Sequence, residues 1–528
     1  MFVNFAQLHP ASPLEADVCI VGTGAAGITL AREFIGHPCK VLLIESGGWS
    51  PDVDTTGLYE TGMAPGGKFH RGVHEGRARV FGGTTTLWGG QALPLSKIDF
   101  EVRSWVPDSG WPFPRSELEP YHERAREVLG LRDVDFNDDI HKAFGIARPG
   151  FNSEVVEHIY SRWSPHPNFA STYRRCLEAA ENVSVILKAN VTQILLAKDG
   201  TRVDGLELKS LSGETRVVRA KVFVICCGGI ETPRLLLASN RIQPEGVGNA
   251  HDLVGRYFQD HPIVRWGDFI PSDRCKINEL FTSFYRSRLK YYPLLAAAES
   301  FQRQHKILNI SASVLFDNAP DSGIEISKRI YRAIRGREPA GIRLSDAVRF
   351  LTRSPEVASA AYRILFRHRS YIQPRAPLYL GSTIEQEPNF HSRIVLDSKL
   401  DALGMPRAIL DWRLTPLVHK TLLTFAQKVR FEFERTGLGR VDLYPWLFEQ
   451  DGQWIEKVQD NFHHMGATRM HLDPRRGVVD ADCRVHGVKN LYLGSSSVFP
   501  TGGHSNPTFT ILLLCFRLAD QLKESLFR

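Results

Sequence analysis

The chain has 528 residues, more than one hydrophobic core usually serves, so two closely connected domains are expected. Hydrophobic residues make up 43% of it and charged residues 23%, which is typical of a globular protein, and its eight cysteines form no CxxC or CxxCH pattern. The cysteine pattern argues against a metal site, a covalently attached haem or a disulfide framework. The N-terminal residues have no basic n-region, h-region or twin arginine, and the longest apolar runs are too short to cross a bilayer, so no export signal or membrane span is expected. The expected location is the cytoplasm, either free or peripheral on a membrane surface.

The first predicted elements are a strand, a helix and a strand in DVCIVGTGAAGITLAREFIGHPCKVLLIESGG, residues 17–48. Gly22 would turn tightly out of the first strand, Gly24 would let the backbone approach a pyrophosphate, and Gly27 would let helix and strand pack closely. Glu45 ends the second strand, where its carboxylate can accept hydrogen bonds from a ribose diol. The segment therefore predicts a dinucleotide-binding site.

The elements that follow are interleaved along the chain. Alternating apolar residues between 182 and 227 predict a β-meander that ends in a central strand, after which Gly228 and Gly229 lead into a helix. Residues 263–458 form a long second region. We find no internal repeat or low-complexity tract, so the chain is not expected to divide into two separable folding units.

Three further motifs accompany the fingerprint. They are RVFGGTTTLWGG at 79–90, VGRYFQDHP at 254–262, and the block from NFHHMGATRMH to SNPTFTI at 461–511. Together they resemble the glucose–methanol–choline (GMC) oxidoreductases, a family of FAD-dependent alcohol oxidases and dehydrogenases. Trp88 and the Asn506-Pro507-Thr508 triplet are more similar to the pyranose-oxidase and glucoside-3-dehydrogenase branch than to the glucose-oxidase branch.

The resemblance implies an α/β fold. In it, a Rossmann-type FAD-binding domain is interleaved with a substrate-binding domain built on an antiparallel sheet with helices. The FAD-binding domain is expected to use residues 1–262 and 459–528, with an interleaved segment of about 101–180 on the substrate side. The substrate-binding domain is expected at 263–458, with a basic helical insert at 327–375.

The resemblance also implies the chemistry. His463 stands three residues before Gly466, as in the His-x-x-Gly pattern of the family, and would take the hydroxyl proton of an alcohol while hydride passes to flavin N5. Asn506 would hold the substrate oxygen, and His464 would line the substrate pocket. His504 is close to Asn506 in the sequence and is a less favoured candidate for the role of Asn506.

The expected cofactor is FAD. Besides the fingerprint residues, the positions expected to contact it are Gly82, Gly83, Thr84, Thr85, Trp88, Val191, Gly228, Gly494, Ser495, Asn506, Pro507 and Thr508. Leu87 stands where covalently flavinylated pyranose oxidases carry a histidine that bonds to the flavin. Leucine has no nucleophile, so non-covalent FAD is expected, and no residue is expected to ligate a metal.

The expected reaction is oxidation of a secondary hydroxyl of a sugar or glycoside to a carbonyl. A sterol, lipid or other non-sugar alcohol is the alternative substrate, and a hydroxynitrile-lyase-like flavoprotein is an alternative of another class. The sequence leaves open whether oxygen or another acceptor reoxidises the flavin.

Charge is concentrated in one segment. Residues 327–375 contain twelve lysines and arginines and three acidic residues, a net charge of +9 against +7 for the whole chain. Apolar residues at helical spacing predict two or three basic amphipathic helices there. The charge fits a solvated helical face, contact with an anionic membrane surface, or steering of an anionic substrate. No recognition motif accompanies the arginines, so no nucleic-acid partner is expected.

Overall fold

The computed structural model describes residues 1–9, 13–132, 136, 140–287, 289–334, 344–449 and 451–527. The strands are β1 (Phe2–Asn4), β2 (Leu14–Val21), β3 (Val41–Ile44), β4 (Thr61–Met63), β5 (Gln91–Ala92), β6 (Val156–Trp163), β7 (Val183–Leu187), β8 (Asn190–Leu196), β9 (Val203–Lys209), β10 (Thr215–Ile225), β11 (Ile263–Pro271), β12 (Phe284–Arg286), β13 (Leu289–Ala297), β14 (Ile310–Phe316), β15 (Leu378–Ile384), β16 (Arg393–Leu400), β17 (Pro406–Asp411), β18 (Gly439–Leu443) and β19 (Leu491–Leu493).

The α-helices are α1 (Ala25–Glu33), α2 (Val53–Gly57), α3 (Lys97–Phe100), α4 (His122–Val128), α5 (Ile140–Phe144), α6 (Phe169–Ala179), α7 (Gly228–Ala238), α8 (Arg274–Phe281), α9 (Glu299–His305), α10 (Gly323–Ile334), α11 (Leu344–Thr352), α12 (Ser354–Phe366), α13 (Pro416–Arg435), α14 (Trp454–Lys457) and α15 (Thr508–Phe527).

The first sheet has the order β1-β7-β3-β2-β10-β9-β8, with β19 also paired to β10. Its central strands are parallel, because β2 pairs with both β3 and β10 in the same direction. Parallel strands are buried on both faces, which explains why β2, β3 and β10 end in continuous apolar runs. Helices α1 and α15 pack against each other beside this sheet.

The turn from β2 into α1 depends on glycine. Gly22 adopts a φ of +101°, and a Cβ on Gly27 would lie 1.8 Å from the Gly22 carbonyl oxygen, so no larger residue fits between helix and strand. A Cβ on Gly24 would meet no heavy atom within 4 Å. The backbone at Gly24 therefore faces open space at the start of α1.

The second sheet is antiparallel and has the order β18-β11-β15-β14-β13-β6-β5, with β12 paired to β13. Helix α13 packs against it with a buried apolar face that includes Val418, Phe425 and Phe433. This sheet and the parallel sheet confirm the predicted α/β fold with an antiparallel substrate-side sheet.

Two segments depart from a simple division into domains. Within 101–180, β6 joins the antiparallel sheet, whereas α6 packs against α1 on the nucleotide side. Within 263–458, β16 and β17 form a third sheet in which β17 pairs in parallel with β4. Residues 393–411 therefore lie with the N-terminal half of the chain rather than with the antiparallel sheet.

In the described residues between β14 and β15, the basic insert and the few residues before it form the helices α10, α11 and α12. Its residues 335–343, which include three of the arginines, lie outside the described part of the chain. Helix α10 contacts both α11 and α12, and the N–H of Gly323 donates to the Glu356 carboxylate at 2.9 Å. None of the helices in the described ranges combines the length and apolar character needed to cross a membrane.

Candidate active site

A cavity of about 710 Å³ opens at the carboxyl ends of β2, β3 and β10. This edge of a parallel sheet is where open α/β folds bind nucleotides. Gly22, Gly24 and Glu45 line it, and the N-terminus of α1 faces it with backbone amides that suit a phosphate. The open space at Gly24 gives a dinucleotide room to approach the backbone, so these residues fit the expected FAD.

Most residues expected to contact FAD line this cavity. Besides Gly22, Gly24 and Glu45, these are Gly83, Thr84, Thr85, Trp88, Val191, Gly228, Gly494, Ser495, Asn506, Pro507 and Thr508. Gly27 and Gly82 lie outside its lining. Gly27 packs α1 onto β2, and Gly82 has a φ of +96° in the turn before Gly83.

Some side chains in and just after the GGTTT segment, residues 82–86, form hydrogen bonds to the backbone and so hold the segment in place. The Thr85 hydroxyl donates to the Gly82 carbonyl at 2.6 Å and accepts from the Phe169 amide at 3.1 Å. The Trp88 indole N–H donates to the Pro167 carbonyl at 2.6 Å, which fixes the ring at the cavity wall. Thr84 is exposed and lines the cavity.

Glu45 is buried at the end of β3. Its carboxylate accepts from the Thr23 amide and hydroxyl and from the Gly47 amide. Burial raises the pKa of this carboxyl, while the Thr23 and Gly47 hydrogen bonds oppose the rise. The carboxylate thus fixes the turn after β2 as well as lining the cavity.

A second cavity of about 650 Å³ lies over the antiparallel sheet. Its polar lining includes Ser311 and Ser313 on β14, Thr383 on β15, Tyr292 on β13, and Gln459. Among the described residues that line it, Arg265 and Lys457 are cationic, and none has a carboxylate side chain. The cavity therefore offers hydroxyl and amide groups beside apolar and aromatic surface.

Four side chains line both cavities: Gln91, Asn461, His463 and Asn506. The Asn506 amide nitrogen lies 3.1 Å from Nε2 of His463, although 43 positions separate the two residues in the chain. The structure thus brings together the two residues to which the sequence assigns catalysis, at the junction of the cavities.

The His463 imidazole is neutral over most of the pH range. Burial, followed by the neighbouring His261 ring, lowers its pKa to about 3, while the Asp260 carboxylate opposes this shift. A neutral imidazole has one ring nitrogen with a lone pair, so it can accept a proton. The environment therefore keeps His463 in a form that can act as a base.

Sequence reasoning missed the residues that hold this histidine. Nδ1 of His261 lies 2.8 Å from Nδ1 of His463. The buried Asp260 carboxylate accepts from Nε2 of His70 at 2.9 Å and from the His463 backbone N–H at 3.0 Å. Asp260 and His261 belong to the VGRYFQDHP motif, which was the only sequence signal for them.

His464, which the sequence assigns to the substrate pocket, packs beside His70 with ring centroids 5.2 Å apart. It lines the larger cavity and is absent from the lining of the second one. Burial lowers its pKa well below the ordinary value. His504 does line the second cavity, where burial lowers its pKa to about 4. Its Nδ1 is buried without a hydrogen-bond partner.

Comparisons with known proteins agree with this architecture. Two sequence profiles described as GMC oxidoreductase match residues 168–263 and 388–515. The fructose dehydrogenase large subunit of Gluconobacter japonicus is 23% identical over 97% of this chain and 98% of its own. The 6'''-hydroxyparomomycin C oxidase of Streptomyces lividus is 23% identical over 97% of this chain and 92% of its own.

Solved structures share the fold. The crystal structure of pyridoxine 4-oxidase from Mesorbium loti superposes with a TM-score of 0.58 at 18% identity, over 96% of this chain and 99% of that one. The matched profiles cover the central strand β10 of the parallel sheet and the two loops that carry His463 and Asn506. The chain thus carries the N- and C-terminal domains of the GMC oxidoreductases, whose members bind FAD and act on CH–OH groups.

Proposed function

We propose that this enzyme oxidises a secondary hydroxyl of a neutral sugar or glycoside to a carbonyl. The observation that carries the proposal is the His463–Asn506 pair at the junction of the two cavities. A hydroxyl bound there would meet a base and an amide donor while its carbon faces the dinucleotide site.

His463 would take the proton of the substrate hydroxyl on Nε2. The Asn506 amide, which has two N–H groups, would donate to the substrate oxygen as negative charge develops on it. Bound FAD would supply the acceptor for the hydride that leaves the carbinol carbon. The alcohol loses one proton and one hydride and becomes a carbonyl.

The second cavity supports a neutral, hydroxyl-rich substrate. Serine and threonine hydroxyls and glutamine and asparagine amides can both donate and accept, as sugar hydroxyls do. The absence of a carboxylate from its described lining disfavours an aminosugar, whose ammonium groups would lack a counter-charge. A sterol would leave the polar groups of β14 and β15 buried against hydrocarbon, at a cost in binding free energy.

We also propose that FAD is held without a covalent bond. Leu87 lines the larger cavity, and its side chain has no atom that could bond to the flavin. Burial would retain the cofactor, together with the backbone of the β2–α1 turn.

We further propose that helices α11 and α12 contact an anionic membrane surface. Val348 and Leu351 on α11 and Tyr362, Leu365 and Phe366 on α12 are between 55% and 71% exposed. Tyr362, Leu365 and Phe366 are spaced to share one helix face, and the Tyr362 and Phe366 rings lie 5.3 Å apart. Large apolar side chains on a helix within a basic segment are typical of proteins that lie on a bilayer.

The cofactor proposal is tested by denaturing purified protein. Acid or heat should release free FAD into the supernatant, because no bond would join it to residue 87. Absorbance of the separated supernatant and pellet measures this. Yellow colour that remains with the precipitated chain contradicts the proposal.

The catalytic proposal is tested by anaerobic mixing with a panel of neutral hexoses and their methyl glycosides. His463→Ala should retain FAD and slow flavin reduction by about 10²–10⁴-fold, the usual effect of losing a general base. Asn506→Ala should slow reduction by less, because it removes one donor and leaves the base.

His464→Ala serves as the comparison, since this residue is adjacent in the chain but does not line the second cavity. If His464→Ala strongly slows flavin reduction while His463→Ala reduces the flavin at nearly the wild-type rate, the assignment of His463 as the base is contradicted. Turnover without bleaching of the visible flavin band indicates a lyase instead of an oxidoreductase.

The membrane proposal is tested by sedimentation with vesicles of phosphatidylcholine, alone or mixed with phosphatidylserine. Binding should rise with phosphatidylserine and fall with salt. Replacing Arg363 and Arg367 by Gln should weaken it by roughly tenfold to thirtyfold, at about 1 kcal/mol for each basic residue near the surface.

Leu365→Ser with Phe366→Ser should weaken vesicle binding further, because it removes the inserted apolar surface. The matched control is Leu472→Ser, which changes a side chain that is 67% exposed outside the insert. Equal binding to neutral and anionic vesicles, or no binding to either at low salt, contradicts the proposal.

A further inference from the structure

The His261 ring lies between the proposed base and a backbone carbonyl. Its Nδ1 is 2.8 Å from Nδ1 of His463, and its Nε2 is 3.3 Å from the carbonyl oxygen of Gly502. The ring is fully buried. Its Nδ1 therefore faces the His463 ring, and the ring also meets backbone carbonyl groups at Gly502 and Gly503.

These partners determine where the protons lie. A carbonyl oxygen only accepts hydrogen bonds, so the proton on His261 is on Nε2 and points to Gly502. Burial lowers the pKa of His261, so the ring is neutral and its Nδ1 has a lone pair. The 2.8 Å contact needs one proton between two nitrogens, and His463 must supply it from its own Nδ1.

This arrangement leaves Nε2 of His463 without a proton. The Asn506 amide nitrogen, 3.1 Å from that Nε2, is a donor and agrees with a lone pair there. The Asn461 amide nitrogen lies 3.3 Å from Nδ1 of His463. The oxygen and nitrogen of an amide occupy interchangeable positions, and turning this side chain over brings its oxygen to the Nδ1–H. Every contact of the ring is then compatible with a single tautomer.

We propose that His261 is a positioning residue that holds His463 as the Nδ1–H tautomer, so that Nε2 keeps the lone pair that takes the substrate proton. The inference rests on the proposed role of His463. The other tautomer would point an N–H at the substrate hydroxyl and could not accept its proton. Once His463 is protonated, its hydrogen bond to His261 gains charge and becomes stronger.

A role in packing alone would also explain a buried histidine, so the test compares two side chains of the same shape. Asparagine at 261 places an oxygen near the position of Nδ1 and can accept from His463, whereas leucine cannot. His261→Leu should slow flavin reduction by the sugars about tenfold to a hundredfold, with little change in KM. His261→Asn should recover most of the loss.

Both variants should retain FAD. Equal slowing, or no slowing in His261→Leu, would overturn the proposal. If flavin reduction in His463→Ala is as fast as in the wild-type enzyme, the proposed function itself is wrong. If His463→Ala is slow and the two 261 variants are alike, only the positioning role is wrong.

A second measurement does not need turnover. In protein labelled with ¹⁵N-histidine, the His463 resonances are identified by their loss in His463→Ala. Nδ1 should resonate as a protonated ring nitrogen and Nε2 as an unprotonated one. In His261→Leu the two should move toward averaged values. The reverse assignment in the wild-type chain would overturn the proposal even if the 261 variants did not fold.

Discussion

The buried Asp260 carboxylate is the constraint on which the site depends. It accepts from Nε2 of His70 at 2.9 Å and from three backbone N–H groups, those of His261, Asn461 and His463. Burial alone would raise its pKa, but the His70 hydrogen bond and the surrounding imidazoles lower it below the ordinary value. A single ionised group thus joins the segment before β11 to the loop that carries His463.

Asp460 extends this connection. Its carboxylate accepts from the Arg71 and Gly72 amides, both at 2.8 Å, and so fixes the backbone beside His70. The loop at 460–464 is consequently tied to two distant segments of the chain. This rigidity keeps His463 between the two cavities, where catalysis requires a base to be held within hydrogen-bond reach of the substrate.

The parts of the molecule that the sequence predicts best are local. The strand, turn and helix around Gly22 and Gly27 are encoded in consecutive residues, because Gly22 needs a φ of +101° and a Cβ on Gly27 would lie 1.8 Å from the Gly22 carbonyl oxygen. His463 and Asn506 were found through motifs that recur at fixed positions in the family. The structure adds that their side chains are within hydrogen-bond distance.

The features that the sequence did not predict are contacts over long separations. His70 and Asp260 are 190 positions apart, and His261 and His463 are 202 apart, so no local pattern pairs them. Pairing of β17 with β4 depends in the same way on tertiary packing. The basic insert was recognised from its composition, whereas the number of its helices and the exposure of Leu365 and Phe366 needed the structure.

The central claim is that a neutral His463 accepts the substrate proton. The most direct measurement is the rate constant of flavin reduction by a saturating sugar as a function of pH. A base is active when deprotonated, so the rate is full above its pKa and is lost as the pH falls through it. Because burial and His261 lower this pKa to about 3, the rate should stay level from about pH 8 down to about pH 4. A rate that declines through about pH 6.5, the titration of an ordinary imidazole, would contradict the account.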